Sequence, residues 1–162
     1  MEKLQQYKIN ISAPNLLNVC VDRKEEGKIS GRLYHCYKKE AIVFCDVVEL
    51  IREAEKLFDA IGFPQASTVT RSFVEAKNVA EAGNITGTAG GKEGHKAKPE
   101  KVLTQQEIIC NRGKKGTFVV HVRFRQSSTW QGDVCRMETE EVRRFSNTLD
   151  FIKIIDAEIE EE

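Results

Sequence analysis

The chain has 162 residues, of which 40% are hydrophobic and 31% are charged. This balance is typical of a globular domain and excludes a wholly disordered chain. Lysine plus arginine and aspartate plus glutamate both total 25, so the formal net charge is zero. Binding to nucleic acid or to an anionic membrane therefore requires a local basic patch. No apolar run approaches the roughly 20 residues that a membrane span needs.

The N-terminus and the cysteines favour a cytoplasmic protein. Residues 1–12 mix charged and amide side chains and lack the apolar core of a signal peptide. The five cysteines are odd in number, lie far apart, and are nowhere spaced as C-x-x-C. We therefore expect reduced thiols, several of them packed as small hydrophobes, and a cytoplasmic location.

The first part of the chain predicts several short strands. Apolar residues alternate with polar ones at 7–11, which indicates a first strand or arm. The same alternation predicts strands at 16–23 and 29–37, separated by a polar turn at 24–27. A third strand of this unit is predicted at 40–44.

A helix is predicted to follow at Val47–Ile61. Asp46 offers an N-cap oxygen and Glu49 stands at the third helical position, which is a capping-box arrangement. Apolar residues recur along the helix at steps of three and four, so one face is buried. Gly62 and Pro64 then end the helix.

Residues 64–113 differ from the segments on either side. Several glycines lie between 83 and 94 without any apolar periodicity, which predicts a flexible linker or loop. Apolar residues at 102–109 indicate that the chain docks again before the second unit. We therefore expect a first unit at 1–63, a linker at 64–113 and a second unit at 114–162.

The second unit repeats the pattern of the first. Moving it back by 101 positions superimposes it without a gap, so that Gly132 falls on Gly31 and Phe145 on Phe44. One β-β-β-α unit leaves its sheet edges open, whereas two units can pair their edges, or stack their helices about a pseudo-twofold axis, and close a common core. The sequence predicts an α+β fold of two β-β-β-α repeats forming an intramolecular pseudo-dimer, with antiparallel sheets and the helices packed on one face. The alternative is two similar halves that arose by chance.

Three blocks carry a resemblance to a known group of sequences: RFRQSSTWQG, RRFSNTLDFIKIID and FPQASTVTRSF. They resemble an uncharacterised family of small bacterial proteins with an R-Q-x-x-x-W-Q-G segment, a Phe-Ser pair and a closing amphipathic helix. No activity is known for that family, so the resemblance implies no catalytic residue. The first unit has Ile29, Ser30 and Gly31 where the second has W-Q-G, so only one half carries Trp130. More distantly, repeated strand-strand-strand-helix units resemble the architecture of the PUR and Whirly single-strand nucleic-acid binders.

Motifs for catalysis and for cofactors are not recognisable. Gly91-Lys92 is followed by Glu93 and then by Pro99, whereas a phosphate-binding loop requires G-x-x-x-x-G-K-[ST] between a strand and a helix. The three histidines are isolated, and no Cys/His group has the spacing of a zinc site. We therefore expect a protein that is not an enzyme, with no catalytic residues, no cofactor and no bound metal.

The candidate binding surface is an acid-free run from residue 111 to residue 132. Arg123 and Arg125 are predicted to share one strand face with His121, and Trp130 follows after a short turn. A basic strand face beside an aromatic residue can hold single-stranded nucleic acid through phosphate contacts and stacking. The alternative is that Trp130 belongs to the core, which its large apolar area favours. The candidate site residues are Lys114, Lys115, Arg123, Arg125 and Trp130.

These patterns lead to an expected function. The first expectation is a non-enzymatic cytoplasmic binding or adaptor module, with a protein partner or with self-association. The alternative is a single-stranded nucleic-acid-binding protein that uses the five candidate residues. A small-molecule sensor or an enzyme at the interface between the repeats is the third possibility.

The C-terminal helix poses a separate electrostatic problem. Asp156, Glu158 and Glu160 lie near its C-terminus, where the helix dipole disfavours negative charge. This predicts a frayed, solvated tail, or a partner group that supplies positive charge.

Overall fold

The computed structural model describes residues 9–66 and 97–161. Within these residues, the first half of the molecule contains three strands and a helix, and the second half contains three strands and a helix in the same order. A short helix lies between them. The elements are β1 (Leu17–Glu25), β2 (Lys28–Tyr34), β3 (Ile42–Phe44), α1 (Val47–Ile61), α2 (Gln105–Ile109), β4 (Gly116–Phe124), β5 (Gln131–Arg136), β6 (Glu141–Phe145) and α3 (Thr148–Glu158). The predicted bounds of α1 are confirmed, and Asp46 caps it by accepting a hydrogen bond from the Glu49 N–H at 2.8 Å.

The six strands form one antiparallel sheet in the order β3-β2-β1-β4-β5-β6. The two halves meet in the middle, where β1 pairs with β4 and Val19 lies opposite Phe118. The predicted α+β class is confirmed. Of the two arrangements open to the halves, the structure shows the pairing of edges, which joins the three strands of each half into one continuous sheet.

Both long helices pack on one face of the sheet, which we call the helix face. They bury a single apolar cluster to which both halves contribute. The Trp130 ring lies 5.6 Å from the Phe58 ring of α1 and 5.5 Å from the Phe151 ring of α3, so it is a core residue shared by the two halves. Among the described residues, no helix is both long enough and apolar enough to span a membrane.

The opposite face of the sheet, the back face, is partly covered. Leu16 and the α2 residues Ile108 and Ile109 bury against it in a second apolar cluster. The part of the predicted linker at 97–113 therefore contains a docked helix. Residues 10–13 form a turn, in which the Asn10 carbonyl accepts a hydrogen bond from the Ala13 N–H, so residues 9–11 are not in the predicted strand. Residues 1–8 and the predicted glycine-rich segment 83–94 lie outside the described residues.

A β-bulge interrupts β1 and β4 at matching places. The pairing register shifts between Val21 and Arg23 in β1, and between Val122 and Phe124 in β4. An extra residue in one strand reverses the alternation of side chains beyond it. The expectation that Arg125 shares a face with His121 is therefore wrong, since the bulge turns Arg125 toward the helix face.

Candidate functional site

The five residues predicted to bind nucleic acid lie in three different places. Lys114 and Lys115 lie beside the bulge of β1, where their backbone N–H groups donate to Asp22 Oδ1 and to the Val21 carbonyl. Arg123 lies on the back face, with its Nε 2.7 Å from Asp133 Oδ2. Arg125 and Trp130 are buried on the helix face. The structure does not bring the five side chains together on one surface.

Arg125 joins the second half to helix α1 of the first half. Its side chain is only 5% exposed, and its Nε donates to the Pro64 carbonyl at 2.7 Å. Its Nη1 donates to Glu55 Oε2 at 2.9 Å and to Asp59 Oδ1 at 2.8 Å. The guanidinium also lies 5.5 Å from the centre of the Phe58 ring. A buried arginine with carboxylate partners of this kind fixes the position of the helix end.

Trp130 also contacts Glu55, one of the two carboxylates that bind Arg125. Its indole Nε1–H donates to Glu55 Oε1, whereas Arg125 donates to Glu55 Oε2. Glu55 of the first half therefore binds two side chains of the second half. The backbone N–H of Trp130 donates to Thr148 Oγ1 at 3.1 Å, and the Thr148 N–H donates to Thr129 Oγ1 at 2.7 Å. These bonds hold the start of β5 against the first turn of α3.

Lys24 makes the matching contact at the other end of the molecule. Its Nζ donates to the carbonyls of Asp156 and Ile159 at 3.0 and 3.1 Å, and it lies 3.0 Å from Asp156 Oδ1. Lys24 precedes Arg125 by 101 positions, and Glu55 precedes Asp156 by the same number. Each half therefore uses a strand cation to hold the helix C-terminus of the other half. The sequence left open whether the acidic end of α3 is a frayed, solvated tail or meets positive charge from a partner group, and in the structure Lys24 of the same chain supplies positive charge there.

A second pair of equivalent ion pairs lies on the back face. Arg32 Nε lies 2.8 Å from Asp22 Oδ2, and the residues 101 positions later are Asp133 and Arg123, which pair with the signs reversed. The hydrogen bond from Arg32 holds the pKa of the Asp22 carboxyl below its ordinary value. Arg123 is therefore paired with the buried carboxylate of Asp133, which reduces the positive charge that the sequence suggests for β4.

The candidate site is a cleft with two lobes on either side of Arg125. The smaller lobe has a volume of about 410 Å³ and the larger about 540 Å³. Both lobes share Ala66 and Arg125, whose backbones form an isolated parallel bridge. We call this feature the Arg125 cleft. The remaining residues of the smaller lobe are Ile51, Glu55, Ser128, Thr129, Trp130 and Thr148, and those of the larger lobe are Gly62, Phe63, Pro64, Gln65, Arg123, Phe124 and Gln126.

Two exposed aromatic side chains line the larger lobe. Phe63, just after α1, is 41% exposed, and Phe124, at the end of β4, is 53% exposed. The burial of either ring by a partner would be favourable at about 25 cal/mol per Å² of apolar area. Sequence reasoning missed both residues, because a phenylalanine at the end of a strand or helix usually belongs to the core.

The chemical groups that line the cleft come from a few residue types. Its described lining contains carboxylate, guanidinium, hydroxyl and aromatic groups, and none of those lining residues is a histidine, a cysteine or a lysine. Burial raises the pKa of the Cys20 and Cys135 thiols to about 11, and both lie on the back face, away from the cleft. Within residues 9–66 and 97–161, no three His, Cys, Asp or Glu side chains are grouped to hold a metal ion.

The Arg125 contact predicts a clear effect on stability. Arg125→Met keeps the length of the side chain but removes its hydrogen bonds to Glu55, Asp59 and Pro64. We expect the free energy of unfolding to fall by about 2–4 kcal/mol, because breaking a buried ion pair leaves its partners uncompensated. Urea denaturation followed by circular dichroism measures the change. Arg144→Met is the control; it removes a largely exposed arginine and should cost about 0.5 kcal/mol.

Comparison with known proteins supplies no function for this cleft. No protein-family model, no curated protein sequence and no solved structure matches it.

Proposed function

We propose that this protein is a cytoplasmic, non-enzymatic binding module built by internal duplication, and that it binds an extended segment of a protein partner in the Arg125 cleft. The observation that carries the proposal is the pair of exposed phenylalanines, Phe63 and Phe124, beside a concave surface. Exposed aromatic groups at the rim of a groove are typical anchors of protein interfaces. A cytoplasmic location agrees with the five cysteines, all of which are free.

The duplication is supported by features that a chance similarity of two halves would not produce together. The same offset of 101 positions relates the two bulges and the two helix caps. It also relates the two ion pairs that hold the helix ends, and the two ion pairs of opposite sign on the back face. In the back-face pairs, the acid and the base have exchanged positions between the halves, yet the ion pair is kept. Each substitution is compensated by the other, as expected for two copies that diverged while their packing stayed the same. The proposed architecture is therefore an intramolecular pseudo-dimer.

The position of the cleft follows from this architecture. Ile51 and Glu55 belong to the first half, and Trp130 and Thr148 belong to the second half, so the smaller lobe lies where the halves meet. Ligand sites occur preferentially at such interfaces. Trp130 lies at this end of the molecule, whereas its counterpart Ile29 pairs with Lys24 at the other end, so the two ends of the pseudo-dimer differ.

The single-stranded nucleic-acid alternative has less support in the geometry. Trp130 packs between Phe58 and Phe151, and Arg125 is bound to two carboxylates, so neither offers a free stacking or phosphate-binding group. The alternative then depends on Lys114, Lys115 and Arg123. It stays a prediction, and the experiment below includes an outcome that would favour it.

Selection from a displayed library of random peptides tests the proposal. Peptides of about 12 residues are long enough to cross the cleft at roughly 3.3 Å per residue. With the full-length protein as bait, we expect enriched peptides to share an apolar residue and to bind in solution, as measured by fluorescence anisotropy. Phe63→Ala and Phe124→Ala should each weaken binding about tenfold, which is the effect of losing an interface anchor worth about 1.4 kcal/mol.

The chain supplies matched controls for this experiment. Val43, on the edge strand β3, and Val102, beside Cys36, are apolar and 66% and 45% exposed, which is comparable with Phe124 and Phe63, but neither lines the cleft. Val43→Ala and Val102→Ala should leave peptide binding unchanged. The proposal is wrong if no peptide is enriched, or if enriched peptides bind all four variants equally. If instead a labelled single-stranded oligonucleotide binds at low salt and is lost with Lys114→Gln combined with Lys115→Gln, the nucleic-acid function replaces it.

A further inference from the structure

We infer that the smaller lobe of the Arg125 cleft receives a cationic group, namely the lysine or arginine side chain of the bound segment. The inference rests on the proposed function, because the partner supplies the cation. It adds selectivity for a basic residue, which the exposed phenylalanines do not provide. The recognised segment then carries a basic residue close to its apolar residue.

The accessible charge in the lobe is negative. Glu55 and Arg125 are the two charged side chains among the described residues that line it. Glu55 is 39% exposed whereas Arg125 is 5% exposed, so a ligand in the lobe meets the carboxylate and not the guanidinium. The two oxygens of Glu55 accept one hydrogen bond each, from Trp130 and from Arg125. A carboxylate has about four lone-pair positions, so Glu55 can accept further bonds from a cation.

The end of α1 adds to the negative potential beside the lobe. Asp59 is one turn after Glu55 and 69% exposed, and it shares the same Nη1 of Arg125. The last turn of α1 contains no basic residue, and its free carbonyls carry a partial negative charge. Two carboxylates and a helix C-terminus thus lie around one buried guanidinium.

Three features of the described surface oppose this potential, and none of them places a cation in the lobe. Lys98 lies beside the C-terminus of α1, with its Nζ 3.9 Å from the position that a Cβ atom of Gly62 would take. Arg52 is exposed on α1, one turn before Glu55, but it does not line the lobe. The N-terminus of α3 lies on the opposite wall at Thr148, where the backbone N–H is already bound to Thr129 Oγ1. Arg52 therefore screens the site from outside, and its removal should strengthen the binding of a cation.

The remaining walls suit the stem of a long basic side chain. Ile51 and Ala66 provide apolar contacts, and the Thr129 and Thr148 hydroxyls lie 2.9 Å apart at the edge. Lysine and arginine bury their methylene stems along apolar surface while the charged head reaches polar groups. The lobe volume of about 410 Å³ accommodates one such side chain.

A small-molecule titration tests the inference without a partner. The probe is n-butylguanidinium, with 1-butanol as a neutral probe of similar length and sodium chloride added to equalise ionic strength. Trp130 is the only tryptophan and its indole N–H is bound to Glu55, so a cation at that carboxylate alters its fluorescence. We expect a saturable change with butylguanidinium at a concentration of about a millimolar, as is usual for a ligand of this size, and none with butanol.

Variants that change the charge around the lobe test whether butylguanidinium binds at this site. Asp59→Asn should weaken the binding of butylguanidinium about threefold, and Arg52→Gln should strengthen it by a similar factor. Glu53→Gln is the control, because Glu53 pairs with Lys56 on the other side of α1 and should not change the affinity. A butanol response equal to that of butylguanidinium, the lack of any saturable response, or an unchanged affinity in Asp59→Asn would overturn the inference.

The two proposals fail in different ways. Peptide binding that requires Phe63 and Phe124 together with no response to butylguanidinium refutes the cationic pocket and leaves the protein-binding function. A saturable response to butylguanidinium together with no enriched peptide refutes the protein-binding function, and with it the assignment of the cation to a partner side chain.

Discussion

Gly132→Ala is expected to lower the free energy of unfolding by about 3 kcal/mol or more. A Cβ atom at this position would lie 2.1 Å from the His121 carbonyl oxygen and 3.0 Å from Cζ of Phe145. The oxygen belongs to the neighbouring strand β4, so it cannot move without breaking the pairing of Val122 with Gly132. Overpacking against backbone in a dense core has few ways to relax, which gives an effect of this size.

Gly31→Ala should have a similar effect, because its Cβ would lie 1.9 Å from the Cys20 carbonyl oxygen. The matched control is Gly27→Ala. Gly27 has no atom within 4 Å of its would-be Cβ but has a φ of +73°, so alanine there should cost only about 1 kcal/mol of backbone strain. Urea denaturation, followed by circular dichroism, compares the three variants. A protein that tolerates one of Gly31→Ala and Gly132→Ala but is unfolded by the other would contradict the proposed duplication.

The sequence predicted the elements well where local signals agree with packing. The N-cap, the apolar stripe and the terminal glycine of α1 act within a few residues, so its bounds could be predicted from the chain alone. The offset of 101 positions also aligned Phe44 with Phe145, and the structure places both side chains in the core opposite a glycine. The strand ends were predicted less well, because β2 stops at Tyr34, three residues earlier than its alternating pattern suggests.

The candidate binding surface could not be predicted in the same way. Alternation assigned Arg125 to the face of His121, and one extra residue in β4 reversed that assignment. The sequence also shows the basic residues as an acid-free run, whereas their partners come from distant positions: Glu55 and Asp59 for Arg125, and Asp133 for Arg123. Net charge along a short segment is therefore a poor guide to surface potential when ion pairs connect separate elements.

The cleft itself depends on contacts that no single segment contains. Phe63 and Phe124 come from opposite halves of the molecule, and their exposure follows from how α1 ends relative to β4. One signal was available in the sequence, since Lys24 and Arg125 are both cations at the same place in the two halves, as Glu55 and Asp156 are both acids. That pattern would have placed the strand cations against the helix ends.

Lowering the pH should destabilise the protein through His35. This side chain is buried at the end of β2, and burial, reinforced by Lys38 and opposed by Glu53, lowers its pKa from 6.5 to about 4. Its Nδ1 accepts a hydrogen bond from the Tyr37 N–H at 3.1 Å, which only the neutral ring can do. The folded state therefore binds fewer protons than the unfolded state between these two values.

The direction in which pH changes the free energy of unfolding follows from this difference in proton binding. Above pH 6.5 the ring is neutral in both states and His35 has no effect on the pH dependence. As the pH falls from 6.5 to 4, the unfolded state gains a proton that the folded state does not, and the free energy of unfolding drops by about 3 kcal/mol. The pKa of His121 is lowered as well, mainly by burial, and acts in the same direction.

The variant His35→Asn separates this effect from the carboxylates that titrate in the same range. Its amide oxygen can accept the Tyr37 N–H bond but has no proton to gain. Urea denaturation of both proteins at pH 7.5, 5.5 and 4.0 should show the wild type losing about 3 kcal/mol more than the variant across this range. Asp22 and the other acids contribute equally to both proteins and cancel in the comparison. Parallel losses in the two proteins would mean that His35 takes up its proton in the folded state, and that the end of β2 opens to water more readily than its burial implies.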